Sequence, residues 1–395
     1  MSAPTNAAAL AAVTAVEPVW AGQTTLANVL SVRGSNAVGG AVEKIILHAG
    51  PPFTGWDAVP QAVRNSMAQM AVFEGWAADL AQAQEQLAAG QISYAPAQDY
   101  DCVVPLAGVI TPSMGLHVVT DKHDRSRKSY AAINEGMEHL LRVGKVDAQM
   151  VPFHHWLTGA FNDFLGETLA GSDGIELFPL IRSSLADGDD AHSRTMAGSR
   201  LLVAALRGLG GPAESPETTE FLDTALALAL NLWMAAAALA ERAAEDYPEA
   251  DLITRVGGNG VDFGYQTAAA PQQWVTVAGQ APQGPIPEEF VDVEVLGAIG
   301  DSAVVDFFGL GGGAISHAPA TVDALGNFLP DQATERLGQV FLTEHPQLPI
   351  CTGVSRARLA EIGVTPIVLL GMIEATGEHG RVGGGAYEPT PAAFA

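Results

Sequence analysis

The chain has 395 residues, 48% of them hydrophobic, with two cysteines and 44 acidic against 19 basic residues, a formal charge of −25. That length allows about two or three domains with sizeable cores, and a field so acidic repels phosphate backbones and anionic lipid surfaces, which argues against nucleic acid and membranes as partners. Cys102 and Cys351 stand far apart with no CxxC or Cys/His cluster, so neither a disulfide framework nor a structural zinc site is supported, and a reducing cytoplasm fits best.

Met1 to Trp20 is Ala-rich but carries no basic residue ahead of its mildly apolar stretch, and it reads as an unexported N-terminus. Residues 1–42 mix helical signal with turn residues. Glu43 to His48 reads as a short strand that Gly50-Pro51-Pro52 cuts, because proline cannot continue a ladder. From Trp56 to Ala89 apolar residues recur at helical intervals, interrupted by Gly75 and ended by Gly90, which predicts two consecutive helices. Residues 102–120 are β-branched with Pro and Gly punctuation, predicting strands joined by a tight turn around Pro105 to Met114.

After the charged loop Asp121 to Lys128, a helix is predicted over Ala131 to Val143, then a long helical region from Val151 to Glu245 divided by the loop Gly208 to Pro216. Ala225 to Ala240 falls short of the ~20 strongly apolar residues a span needs and reads as a buried core helix. From Ile253 the texture turns to Gly-rich short apolar runs, with strands expected at Trp274 to Val277 and Val291 to Leu296 and a helix over Asp331 to Thr343. The tail with Gly383-Gly384-Gly385 is expected to be irregular. The whole is an α+β chain, with mixed α/β portions flanking a mostly helical middle: 1–145, 146–250 and 251–395.

Four segments put polar side chains on turns beside apolar elements, where a scaffold can hold them rigidly. His48 ends a strand, where an imidazole can move a proton or polarise a carbonyl, or simply bond to the turn backbone. In Gly188 to Arg194, Asp190, His192 and Arg194 lie around a helix start, with Arg194 able to clamp a carboxylate or phosphate; a capping loop with a surface ion pair is equally compatible. Gly258 to Gly264 combines permissive glycines with Asn259, a potential amide donor to an oxyanion, or forms a plain hairpin. Gly300-Asp301-Ser302 and Gly309 to Gly313 suggest a phosphate loop, but the lysine of a P-loop and the full GxGxxG order are both missing, leaving close packing or an anion nest of N–H groups. GxSxG and HExxH are absent. His154-His155 lacks ligand spacing and reads as packing, so neither metal nor cofactor is expected.

The strings HAGPPF (48–53), FEGWA (73–77), PLAGVITPSM (105–114), NEG (134–136), LRVG (141–144), HSR (192–194), LNLWMAAA (230–237), GNGVDFG (258–264), GDSAVVD (300–306) and GLGGGA (309–314), with further glycines near 380–385, occur in an order that resembles the YlbE-like family, linked to oxamate carbamoyltransferase. The resemblance spans residues 40 to 390. It implies an α+β fold with a helical insertion and a subunit working beside FdrA-like and other partner chains. The implied reaction is carbamoyl transfer between a ureido acid such as oxalurate and phosphate to give carbamoyl phosphate. Carried over by the matching strings, His48, His192, Arg194 and Asn259 are the implied catalytic residues, and Gly50, Glu74, Ser113, Asn134, Gly260, Asp301, Ser302, Gly311 and Gly312 the implied substrate contacts. Where relatives commonly carry a His-rich run, this chain has Ala97-Gln98-Asp99-Tyr100-Asp101. A non-catalytic assembly subunit, and a hydrolase of a small amide in which water replaces phosphate, are the alternative readings.

Overall fold

The computed structural model describes residues 44–395 and, upstream of them, two short strands, β1 (Thr24–Leu26) and β2 (Val32–Arg33). The expectations for the remainder of 1–42 lie outside the described residues. β3 (Ile45–His48) is buried along its whole length. α1 (Gln61–Phe73) buries Val63, Met67 and Met70 and stops at Gly75, whose φ of +70° only glycine adopts without cost. α2 (Leu80–Ala88) starts at Asp79, whose carboxylate accepts from the Gln82 amide at 2.9 Å. β4 (Ser93–Pro96) then returns parallel to β3, so the two helices form a crossover. The two helices predicted over 56–89 are present.

β5 (Cys102–Val103), β6 (Val109–Ile110), β7 (Gly115–Asp121) and β8 (Lys128–Ala132) follow. β6 completes a three-stranded sheet in the order β4-β3-β6. The others join a sheet ordered β5-β8-β7-β1-β9, to which β2 adds by pairing with β7 and in which β9 is Ile175–Glu176. Helices fill most of the middle of the chain: α3 (Met150–Trp156), α4 (Asn162–Leu169), α5 (Leu177–Ala186), α6 (Met196–Gly208), α7 (Pro216–Thr224) and α8 (Leu230–Arg242). The loop between α6 and α7 is the divide expected at 208–216.

α8 is the hub. Every residue from Asn231 to Glu241 is buried, and the helix packs on β7, β8, β10 and α9 at once. Its alanines explain how: small side chains let backbones approach closely, and Gly198 of α6 leaves room for the Trp233 ring, which an added Cβ would meet at 3.0 Å. Among the described residues no helix is long and apolar enough to cross a membrane.

The last third holds an antiparallel sheet, β12-β11-β10-β13, from β10 (Ile253–Asn259), β11 (Asp262–Thr267), β12 (Ala270–Ala278) and β13 (Ile299–Gly300). Then come α9 (Ala303–Phe308), α10 (Pro319–Leu325), α11 (Ala333–Val340), the pair β14 (Thr343–Glu344) and β15 (Cys351–Thr352), α12 (Arg356–Ile362), and a hairpin of β16 (Val368–Ile373) and β17 (Arg381–Tyr387). The fold is α+β, with small mixed sheets around a helical middle.

Three local expectations are corrected. No helix spans 131–143: β8 runs to Ala132, Gly136 and His139 take positive φ, and only a short 3-10 turn forms at Leu141–Val143. Residues 291–296 form no strand, apart from a single bridge between Val295 and Glu374. The glycine tail is not irregular but sits in β17, because the Gln283 strap crosses so near that a Cβ on Gly385 would lie 2.6 Å from its carbonyl oxygen.

Candidate active site

Asp190 organises the loop that precedes α6. It is fully buried, and one carboxylate oxygen accepts from the amides of His192 (2.7 Å) and Arg194 (3.0 Å) while the other accepts from the hydroxyls of Ser193 (2.7 Å) and Thr321 (2.8 Å). Ala191, at φ +66°, makes the tight turn that this wrapping requires. The His192 side chain therefore leaves the loop in a fixed direction. Its Nδ1 lies 2.8 Å from a carboxylate oxygen of Asp306 on α9, and its Nε2 has no protein partner among the described residues. Burial alone lowers the affinity of this imidazole for a proton, but the charge and hydrogen bond of Asp306, with Asp190 behind, outweigh it and raise the pKa above the usual value.

His192 borders a cavity of about 390 Å³. Three arginines from different parts of the chain share its wall: Arg142, Arg194 and Arg381. Arg142 is tied to Glu135 by an ion pair and donates to the Gly136 carbonyl at 2.8 Å, so its charge is balanced and its position fixed. Arg194 is held loosely, its Nε 3.9 Å from Asp189 and its side chain 39% exposed. Arg381 has no acidic partner among the described residues; its Nε donates to the Gly383 carbonyl at 2.9 Å and it lies across Gly371 and Gly384, where an added Cβ would approach it at 3.3 and 3.0 Å. Desolvation and the neighbouring Arg142 charge lower the Arg381 pKa, the environment of a cation that an anion would relieve. Ser193, Thr195, Ser302 and Thr321 add polar groups, while Pro105, Leu106, Met196, Leu230 and Leu325 supply apolar wall.

A second cavity of equal volume lies on the other side of the Gly311 to Gly313 run, around Phe341 and Cys351. Its wall contains Glu344 but no Arg or Lys, so it does not suit an anion.

Of the sequence-derived candidates, His192, Arg194 and Ser302 line the arginine cavity. Gly311 and Gly312 stand behind it. The Gly312 amide donates to Asp306 at 2.8 Å, so the nest suspected in the glycine run holds the protein's own carboxylate.

His48, Gly50, Asn259, Gly260 and Asp301 come together elsewhere, at the seam between β3 and β10. Asp301 accepts from the Gly50 amide (2.9 Å), the Gln98 side chain (2.7 Å) and the Val104 amide (2.9 Å), and burial pushes its pKa up to about 7 against those bonds. Asn259 donates to the Pro51 carbonyl at 2.9 Å and accepts from Val261 and Asp262, closing the turn at Gly260. His48 donates through Nδ1 to the Ala49 carbonyl, lies 4.5 Å from the Phe53 ring, and is driven down to about 4 by burial. None of these five lines the cavity.

Glu74 accepts from both the amide and the hydroxyl of Ser113, at 2.7 and 2.8 Å. Asn134 bonds Asn231 and the Gly136 amide, shaping the turn that presents Glu135 to Arg142. In the 97–101 segment, Gln98 bonds Asp301 and Val256, Asp99 accepts from Gln266 and Trp274, and Asp101 pairs with Arg242. These contacts are away from the cavity. His155 packs 4.7 Å from Phe73, and among the described residues no cluster could hold a metal ion.

Sequence reasoning missed Arg142, Arg381, Glu135 and Asp306 as site residues. Glu135, Arg142 and Asp306 fall inside recognised strings, but nothing in their spacing brings them to His192.

A family profile described as "Oxamate carbamoyltransferase subunit AllG" matches residues 92–302. Over 374 residues the chain is 31% identical to the uncharacterized protein YahG of Escherichia coli (strain K12), covering 91% of this chain and 79% of that one. Over 368 residues it is 29% identical to oxamate carbamoyltransferase subunit AllG of the same organism, covering 89% and 87%. The crystal structure of a conserved protein of unknown function from Enterococcus faecalis V583 superposes with a TM-score of 0.89 at 26% identity, over 99% of this chain and 97% of that one.

Proposed function

The chain belongs to the oxamate carbamoyltransferase subunit AllG family, and from that premise we propose that it carries a carbamoyl-transfer site in the arginine cavity, acting on a small ureido acid such as oxalurate and on phosphate. The observation that supports this reading is the meeting of Arg142, Arg194 and Arg381 with His192 in one cavity of a chain whose net charge is −25. A protein so acidic attracts no anion by its general field, so cations gathered at one place, with one lacking an acidic partner, mark a local anion site.

Oxalurate carries a carboxylate and the other substrate is phosphate, and fork-shaped guanidinium groups suit both. In the transfer, a phosphate oxygen attacks the carbamoyl carbon and the bond from that carbon to the amide nitrogen breaks. The products are carbamoyl phosphate and oxamate. The proton lost by hydrogen phosphate equals the one gained by the leaving nitrogen, so a single imidazole can take it through Nε2 and then return it. Arg381 and Arg194 hold the anions against each other, and the fixed Arg142 gives the cavity its shape. In this reading His48, Asn259 and Asp301 join the two sheets and do not touch substrate.

Because the AllG relative is named as a subunit, the test uses the purified chain alone and with its partner chains, FdrA-like proteins among them. Phosphorus NMR follows phosphate with a panel of ureido acids. A carbamoyl phosphate signal that weakens in Arg381→Gln at limiting substrate supports the site. Ammonia release without that signal would replace transfer by hydrolysis, and turnover unchanged in Arg381→Gln would remove the cavity from the reaction.

A further inference from the structure

The glycine run that imitates a phosphate loop has a different occupant, the carboxylate of Asp306. We infer that Asp306 is the positioning residue of this site, fixing His192 as the Nδ1–H tautomer with the Nε2 lone pair turned to the cavity. The inference rests on His192 being the group that moves the proton in the proposed transfer.

The geometry determines each role. Asp306 is fully buried on α9. One carboxylate oxygen accepts from the amides of Gly312 (2.8 Å) and Leu369 (3.2 Å), which leaves the other to face His192 Nδ1 at 2.8 Å. Burial pushes the Asp306 carboxyl above its usual range, against the His192 charge and the two N–H bonds that favour the anion, but the imidazole is raised as well and remains the stronger base, so the proton between the two groups resides on nitrogen. The nest tolerates no alternative arrangement. The Gly311 amide is committed to the Asp190 carbonyl at 2.7 Å, a Cβ on Gly311 would strike the Asp306 carboxylate, and a Cβ on Gly312 would strike the Ile367 carbonyl. Asp190 grips the His192 amide from the opposite side, so the ring is fixed at both its backbone and its Nδ1.

The charged groups around the pair come from three elements. Asp190 and Arg194 share the loop with His192, Arg381 reaches across from β17, and Glu241, buried on α8, faces Asp306. With Nδ1 protonated and hydrogen-bonded inward, only Nε2 is free to exchange a proton with a bound molecule.

The test reads the imidazole directly. Long-range nitrogen–proton NMR of histidine-labelled protein, with the His192 signals assigned by their loss in His192→Gln, reports which ring nitrogen carries the proton. In the wild-type chain, above the pKa of the ring, the neutral form is expected to be Nδ1–H. An Nε2–H tautomer there would overturn the inference without any Asp306 variant having to fold. In Asp306→Asn the His192 pKa is expected to fall and the Nε2–H tautomer to gain population; an unchanged pKa and tautomer would equally overturn it. In the active complex, Asp306→Asn should lower kcat about 10²- to 10⁴-fold, the range of general acid–base catalysis, with little change in KM, and shift the acid limb of the pH profile to lower pH. If no ureido acid is turned over even by the wild-type complex while the tautomer behaves as described, the proposed reaction fails and the positioning role stands.

Discussion

Two histidines stand at glycine-rich turns of this protein, and their surroundings differ in two respects. His48, at the end of β3, bonds its own chain and packs on Phe53 and Tyr94, with no carboxylate bound to it, and it lines neither of the two cavities described above. His192 is nearly as buried, yet it has a carboxylate on one ring nitrogen and a cavity before the other. Desolvation acts on both. In His48 it prevails and the pKa drops to about 4; in His192 Asp306 reverses it. A buried imidazole therefore becomes available for chemistry only with an anchor and an opening together, and a glycine turn supplies neither.

Exchanging or removing parts of the two sites tests that contrast. The largest effect is expected from His192→Gln, which should lower kcat about 10²- to 10⁴-fold in the assembled enzyme. Equal loss of activity from His48→Leu would erase the distinction, since this variant is expected to alter Tm and leave kcat/KM within a factor of about three. Next comes Arg381→Gln: losing a hydrogen bond from a charged group costs about 1.5–3 kcal/mol, so KM for substrate or phosphate should rise about 10- to 100-fold. Arg194→Lys, which keeps the charge but not the fork, should raise KM by less, and unaltered saturation curves for both ligands would take Arg194 out of the site.

A separate signal is in stability against pH. His48, His117 and His154 all have folded pKa values lowered to about 4, so below about 6.5 the unfolded chain binds more protons than the native one. Stability should decline as pH falls from about 6.5 towards 4, by up to about 3 kcal/mol per histidine, and His48→Leu should flatten that slope in urea melts across this range. His192 contributes with the opposite sign. Its pKa is raised, so its stabilisation is present at low pH and is lost as pH rises through the folded value.

Much of the fold was legible because local signals and burial agreed. Gly75 and Gly90 punctuate the helix pair, and Ala225 to Ala240 reads as a buried core helix, which forms from Leu230 onward. Where tertiary contacts decide, local signals failed. Residues 131–143 follow Asn134 into a turn bonded to α8, and the glycines near 384 look like a loop until the Gln283 strap and Arg381 show why larger side chains do not fit. In the site, the loop carrying His192 and Arg194 was visible, as was Ser302. The convergence of Arg142 and Arg381 was not, since residues so distant in the chain meet only through the packing of separate turns and strands.

The alanines of α8 have a consequence for how this sequence can drift. Along Ala235 to Ala238 each side chain is already the smallest that still favours a helix, and all four are enclosed. Substitution upward collides with neighbours and substitution to glycine weakens the helix, so almost no neutral step exists there. Substitutions among functional relatives are therefore expected to avoid this stretch.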